Sequence, residues 1–192
     1  MDPLEACLNA GDWDGLAARC EQAELMAASS GKTTSPEICS ALLAVYLLKR
    51  DLVSAKFLWK RMPASYQGMK DMSQLWEIGQ ALWKKDFRSV HVKLRVRPNW
   101  PQHVQPIMKA LLDSVRREVV TLVSHSYSRI SASMLAGMLG VDDATAACNE
   151  LGWTLENDFV QPRKVCSDAV SLWMENKKRL LTLTNYISAL EN

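Results

Sequence analysis

The feature that most constrains the fold is a segment that recurs 35 residues further along the chain. KRDLVSAKFLW (residues 49–59) and KKDFRSVHVKL (84–94) share a basic pair, an aspartate, an apolar residue and a serine in the same order. A weaker third copy, GDWDGLAARC, covers residues 11–20. A period near 34 residues with two helices per unit is typical of tetratricopeptide-like repeats. We predict that each aspartate caps the second helix of its unit; an irregular helical bundle is the alternative.

Helical spacing of apolar residues dominates the chain up to about residue 128. Thr34-Ser35-Pro36-Glu37 combines a hydroxyl cap with a proline in the first turn, which predicts the start of a helix. A second helix is predicted over residues 52–61, and Pro63 stops it. Residues 27–36 and 62–73 are predicted to be loops that connect helices.

From residue 115 the pattern becomes that of a winged helix, in which three helices support a small β-hairpin. The helices are predicted over residues 115–127, after Ser131, and after Asp142 or Asp143, with Gly140 at the last corner. Two short alternating stretches around a turn at residues 156–158 predict the two strands of the wing. The predicted protein-interaction edge of this wing consists of Trp153, Thr154, Leu155, Phe159 and Val160.

A last helix is predicted between residues 168 and 190. Its apolar residues are spaced as in a helix–helix seam, and they are Trp173, Leu180, Leu183, Ile187 and Leu190. We predict that this helix binds a partner, with docking back onto its own domain as the alternative. The predicted fold class is therefore mainly α: a tetratricopeptide-like helical-repeat region (1–114), a winged-helix subdomain (115–165) and a C-terminal assembly helix (166–192).

Helix-turn-helix elements often read DNA, but the charge pattern argues against that function here. The formal net charge of the chain is +2, and the segment from Ile130 to Asp158 contains five acidic residues and no basic one. Base readout needs Arg, Lys, Asn or Gln on the recognition helix, with basic groups nearby for phosphates. A nucleic-acid-binding protein is therefore the less favoured hypothesis, and a scaffold subunit is the favoured one.

The sequence shows no catalytic constellation. The histidines, His91, His103 and His125, lack the spacing of a zinc site, and phosphate-binding loops and nucleophile elbows are missing. We predict that the chain is not an enzyme and holds neither a metal nor a cofactor. Five cysteines without a CxxC motif predict free thiols in a reducing compartment. No signal peptide or membrane span is expected.

Several stretches of the chain resemble the PCI family of scaffold subunits. They are LLAVYLLKRDLVSAKFLWKRMP (42–63), LWEIGQALWKKDF (75–87), VQPIMKALLDSVRREVVTLVSHSYSRI (104–130), LGWTLE (151–156) and LTNYISALEN (183–192). PCI subunits occur in the proteasome lid, the COP-nine signalosome and a translation initiation factor complex. The Phe-Leu-Trp-Lys and Trp-x-x-Gly-Gln-x-x-Trp patterns favour the small PCI subunits of the signalosome; the small lid subunit is the alternative.

The resemblance implies a non-catalytic role in a complex that removes a ubiquitin-like protein from cullins and so regulates cullin–RING ubiquitin ligases. It implies other PCI and MPN subunits as partners, with subunit three as the nearest neighbour, and it implies neither nucleic acid nor membrane. The wing strands (153–155 and 159–161) are expected to pair with a neighbour's sheet. The helix 173–190 is expected to enter a shared helical bundle, and the location is expected to be cytoplasm and nucleus.

Overall fold

Helices account for most of the residues that the structure describes, as the mainly α prediction requires. The computed structural model describes residues 11–96 and 100–163. All of these residues up to Pro162 belong to one compact unit, and a second unit begins at Arg163. The helices are α1 (Trp13–Ser29), α2 (Pro36–Leu48), α3 (Leu52–Arg61), α4 (Ala64–Gln67), α5 (Lys70–Trp83), α6 (Phe87–Val96), α7 (Gln105–Ser126), α8 (Ala132–Leu139) and α9 (Ala144–Leu151). The strands are β1 (Ile130–Ser131), β2 (Thr154–Glu156) and β3 (Phe159–Gln161).

The repeated segments form repeated corners. Asp51 accepts a hydrogen bond from the backbone N–H of Ser54 at 3.0 Å, and Asp86 accepts the equivalent bond from Ser89 at 3.1 Å. The residues before them, Arg50 and Lys85, have positive φ angles of 62° and 55°. Each corner therefore ends one helix in the left-handed conformation and starts the next with an aspartate cap.

The third copy of the repeat follows the same rule at the start of α1. Gly11 has a φ of 69°, and Asp12 accepts a hydrogen bond from Gly15 N–H at 2.9 Å. The prediction that the aspartate of each copy caps a helix is thus confirmed at Asp12, Asp51 and Asp86.

Helix α2 lies at the centre of the core. It contacts α1, α3, α5 and α7, and all residues from Cys39 to Leu47 are buried. Such a helix is apolar on every side, since each of its faces meets another helix. Beside it, the rings of Trp59 (α3) and Trp76 (α5) stack with centroids 5.2 Å apart. The apolar stripes predicted along the first half of the chain therefore converge on one core.

The two predicted loops are shorter than expected. Helix α1 continues to Ser29, so the first connection covers residues 30–35. The prediction for residues 62–73 is wrong, because α4 lies within this segment and α5 begins at Lys70. Pro63, expected only to stop a helix, has a φ of −56° and precedes the first residue of α4. Proline adopts this φ readily and is compatible with helix starts as well as helix ends.

The small sheet has three antiparallel strands in the order β1-β3-β2. The prediction of a two-stranded hairpin is therefore incomplete: Ile130 pairs with Val160, and Ser131 pairs with Phe159. A strand of two residues is too short to show alternating polarity, so its sequence gives no signal. The helix predicted over 115–127 is the second half of α7, which runs from Gln105 without a break.

Helices α8 and α9 form the predicted corner. Ser131 caps α8 through the N–H of Met134, and Gly140 ends it with a φ of 64°. Asp143, rather than Asp142, caps α9 through the N–H of Thr145. Gly152 ends α9 with a φ of 65° and directs the chain into β2. Capping chemistry thus explains the start of both short helices, and a left-handed glycine explains the end of each.

Candidate interaction surfaces

The outer edge of β2 has no strand partner in the part of the chain that the structure describes. β3 lies between β1 and β2, so both of its own edges are already paired. Among residues 11–96 and 100–163, no strand pairs with the outer side of β2. An unpaired row of N–H and C=O groups is a template for a strand from another chain. Of the two predicted wing strands, β2 is therefore the one that offers a free edge.

The turn between β2 and β3 fixes which groups face outward. Asn157 and Asp158 have positive φ angles of 46° and 68°, as in a two-residue type I′ hairpin. In such a hairpin the residues that flank the turn form a hydrogen-bonded pair, and the next pair, Leu155 with Val160, does not. The N–H and C=O of Leu155 consequently point away from β3 and toward the open edge.

The five residues predicted for the wing edge differ in exposure. Trp153 and Val160 are buried in the core, whereas Thr154, Leu155 and Phe159 are exposed. Leu155 lies opposite Val160 and therefore extends from the buried face of the sheet, with 41% of its surface exposed. Phe159 points to the other face and is 48% exposed. Trp153 and Val160 thus anchor the sheet, and β2 carries the accessible groups.

The second helix of the corner carries negative charge at its N-terminus. Asp143 accepts hydrogen bonds from the hydroxyl and the N–H of Thr145, and these bonds lower the pKa of its carboxyl group. Asp142 pairs with Arg95 of α6 at 2.9 Å. In a DNA reader this end of the helix would enter the major groove, where phosphates require basic groups. The arrangement fits a structural corner better than a recognition helix.

Arg95 joins α6 to the α8–α9 corner at two points. Its guanidinium donates to the carbonyl oxygen of Gly140 at 2.5 Å, besides its bond to Asp142. On the α7 side, Arg116 donates to the carbonyl oxygen of Leu139 at 3.4 Å. The two arginines satisfy carbonyl groups at the end of α8 that would otherwise lack partners. The corner is therefore fixed to the helices that precede it.

The structure brings one serine and one histidine together, but not as a catalytic pair. The Ser40 hydroxyl lies 2.8 Å from Nε2 of His103 and donates its own proton to the carbonyl oxygen of Glu37 at 2.8 Å. With its proton so engaged, the hydroxyl accepts from the histidine rather than losing a proton to it. Burial lowers the pKa of His103, with Glu37 and Asp71 acting in the opposite direction. The contact ties α2 to the segment before α7.

The described part of the chain contains no group of three or more His, Cys, Asp or Glu side chains able to hold a metal ion, and no helix long and apolar enough to cross a membrane. Cys20, Cys39 and Cys148 are buried and form no disulfide bond. Burial raises the pKa of Cys39 and of Cys148, which keeps both thiols protonated and unreactive.

The predicted assembly helix lies outside the described residues. This applies to Trp173, Leu180, Leu183, Ile187 and Leu190. Their role as a helix–helix seam stays a prediction, and so do the predicted boundaries after residues 114 and 165.

Comparison with known proteins places this fold in a family. Residues 33–170 match the model of the CSN8/PSMD8/EIF3K family, which is more than half of the chain. The chain belongs to the CSN8/PSMD8/EIF3K family. It is similar to the COP9 signalosome complex subunit 8 of Xenopus tropicalis, with 36% identity over 179 residues and 91% of each chain covered. It is also similar to the protein of that name from Arabidopsis thaliana, with 32% identity over 100% of this chain and 99% of the relative.

The matched region of this CSN8/PSMD8/EIF3K member includes α2 to α9 and the three-stranded sheet. A third relative, the COP9 signalosome complex subunit 8 of Drosophila melanogaster, is 30% identical over 81% of this chain and 86% of its own. The resemblance inferred from the tryptophan patterns is confirmed by these matches.

Proposed function

We propose that the chain is a non-catalytic scaffold subunit of the COP9 signalosome. The observation that carries the proposal is the similarity to proteins named COP9 signalosome complex subunit 8 from animals and a plant, over nearly the full length of both chains. In this role the chain supports assembly of the complex that deneddylates cullins and so regulates cullin–RING ubiquitin ligases. The proposed location is the cytoplasm and the nucleus.

We propose a tetratricopeptide-like repeat region followed by a winged-helix module. The support for the repeats is the equivalence of the corners at Arg50-Asp51 and Lys85-Asp86, which share a left-handed residue and an aspartate cap. The support for the winged helix is the order of α7, β1, α8, α9, β2 and β3, with three short antiparallel strands around a helical corner. The acidic start of α9 favours a module that contacts protein rather than DNA.

Assembly on this proposal uses two elements. The free edge of β2 pairs with a strand of a neighbouring subunit, for which subunit three is the proposed candidate. The segment 173–190 packs its apolar seam into a bundle with helices of other PCI and MPN subunits. The catalytic chemistry then belongs to another subunit. This agrees with the hydrogen bonds of Ser40, which join it to His103 and to the backbone rather than forming a catalytic pair.

The experiment that tests the proposed role is co-purification with the other subunits after combined Leu183→Asp, Ile187→Asp and Leu190→Asp substitution. The seam variant is expected to lose its partners, since charges within a helical seam prevent packing. The matched control is Lys178→Asp, Asn185→Asp and Ser188→Asp, three positions that the same spacing places off the seam. Equal recovery of partners by the two variants would contradict the proposal.

A further inference from the structure

A groove of about 350 Å³ opens between α2, α3 and α5. Leu52 and Lys56 of α3 line one side, and Trp76 and Trp83 of α5 line the other. Leu47 of α2 lies beneath them. A volume near the lower end of the range for ligand sites, roughly 300–1,000 Å³, is large enough for one large side chain.

One face of α5 builds the wall of this groove. Trp76, Gly79, Gln80 and Trp83 follow the spacing i, i+3, i+4 and i+7, which places them on the same side of the helix. Trp76 is held by stacking on Trp59, whereas 55% of the surface of Trp83 is exposed. The core therefore does not need the ring of Trp83, which is available to an incoming side chain.

Gly79 brings α2 and α5 together beneath the groove. A β-carbon at this position would lie 3.0 Å from Cδ2 of Leu47. Glycine is unfavourable within a helix, and here it allows the close approach of a leucine from the neighbouring helix. Because Gly79 has no side chain, the space between Trp76 and Trp83 stays open.

The groove is basic as well as apolar. Lys56 and Lys84 are exposed lining residues, and no carboxylate of residues 11–96 or 100–163 lines the groove. The ammonium group of Lys56 lies 5.5 Å from the ring centroid of Trp83. Elsewhere in the described residues, Lys49 and Lys93 are paired with carboxylates at 2.5 Å, but neither groove lysine is. Two cations that form no salt bridge with a described residue, beside an exposed aromatic ring, complement a segment that is both acidic and apolar.

We propose that this groove binds an acidic segment of a partner protein that inserts one large apolar side chain between Trp76 and Trp83. The carboxylates of the segment lie beside Lys56 and Lys84, and the apolar side chain covers Trp83. This binding site uses none of the residues of the edge of β2 or of the predicted seam in 173–190, so it adds a contact to those of the proposed function.

Fluorescence polarisation of the purified full-length chain with labelled synthetic peptides tests the proposal. Each peptide is acetylated and amidated, with one central leucine, phenylalanine or tryptophan between serine and glutamate residues. A matched set replaces every glutamate by lysine. We expect glutamate peptides to bind at least about tenfold more tightly than lysine peptides with the same central residue. An equal affinity of the two sets, or no binding by any peptide, would overturn the proposal.

Two variants locate the binding site. Lys56→Glu combined with Lys84→Glu is expected to weaken binding of the glutamate peptides by about tenfold or more, and Trp83→Ala is expected to weaken it through loss of the ring. Lys32→Glu combined with Lys109→Glu makes the same change of charge at exposed residues outside the helices that line the groove, and it should leave the affinity within about twofold. If the control pair weakens binding as much as the groove pair, the peptides bind by overall charge and the proposal fails. The isolated chain suffices, so the result does not depend on assembly.

Discussion

Gly140 and His91 are packed so closely that position 140 has no room for a side chain. A β-carbon on Gly140 would lie 2.4 Å from Cγ of His91. The glycine also has a φ of 64°, in the left-handed region that other residues rarely adopt. Two independent requirements therefore select glycine where the end of α8 meets α6.

Replacement of Gly140 by alanine tests both requirements at once. The left-handed conformation costs an alanine about 1–2 kcal/mol, and the overpacking against His91 adds about 1–3 kcal/mol. We expect Gly140→Ala to lower the free energy of unfolding in urea by the sum of these effects. Gly152→Ala is the matched control, because Gly152 has a φ of 65° with nothing within 4 Å of the added carbon. Equal losses in the two variants would show that contact with His91 has no energetic consequence.

The same histidine makes stability depend on pH. His91 is buried, and its ring nitrogens have no hydrogen-bond partner of normal geometry in the described residues. Burial lowers the pKa of His91, and the charges of Arg116 (α7) and, less strongly, Arg95 (α6) act in the same direction, while the Met138 backbone (α8) acts in the opposite one. The unfolded chain therefore takes up a proton first as the pH falls. Stability is fully present above the usual histidine pKa of 6.5 and is lost as the pH falls below it.

We expect urea unfolding curves to show a decreasing free energy of unfolding from about pH 7.5 to about pH 5, a window above the titration of ordinary carboxylates. His91→Gln, which does not titrate, should make this decrease smaller. His103 also has a lowered pKa and should account for part of what remains. An unchanged pH dependence in His91→Gln would contradict the assignment to His91.

The corner at Lys84-Lys85 predicts opposite effects for two neighbouring substitutions. Lys85 has a φ of 55°, whereas Lys84 is right-handed with a φ of −78°. Lys85→Gly should raise the free energy of unfolding by about 0.5–1 kcal/mol, since glycine relieves the strain of the left-handed residue. Lys84→Gly should lower it by about 0.5–1 kcal/mol, because flexibility is added without relief of strain. Denaturation in urea measures both, and two changes of the same sign would refute this account of the corner.

The open edge of β2 can be blocked without loss of the internal hydrogen bonds of the sheet. Leu155→Pro removes an N–H that points away from β3, so strand addition by a partner should fail while β2 and β3 stay paired. Leu155→Thr is the control, because it removes the same leucine but keeps the donor. Pull-down with the neighbouring subunit should recover the threonine variant and lose the proline variant. Equal recovery would mean that this edge does not pair in the assembly.

The helix caps and turns of the fold could be predicted from the sequence. Asp51 and Asp86, Gly140, and the turn at Asn157-Asp158 act through backbone geometry within a few residues, so their sequence signals are strong. The features that the sequence did not predict depend on contacts between residues that are far apart in the chain. Strand β1 forms where Ile130 pairs with Val160, and one wall of the groove contains Trp76, which stacks on Trp59 of another helix.

Burial decided which predicted interface residues remained accessible. Alternation placed Trp153 and Val160 on the wing, but it could not show that β3 would be covered on both edges. Alternation of apolar and polar residues shows which side chains share a face of a strand. It does not show where the strand lies in the sheet, because that depends on tertiary pairing. The same limit applies to His91, whose burial depends on contacts with α7 and α8.

The most direct measurement of the central claim is affinity purification of the tagged full-length chain from cells, with identification of the bound proteins by mass spectrometry. A scaffold subunit of the COP9 signalosome should recover the other PCI and MPN subunits of that complex in near-equal amounts. Recovery of proteasome-lid subunits instead, or of the chain alone, would contradict the claim.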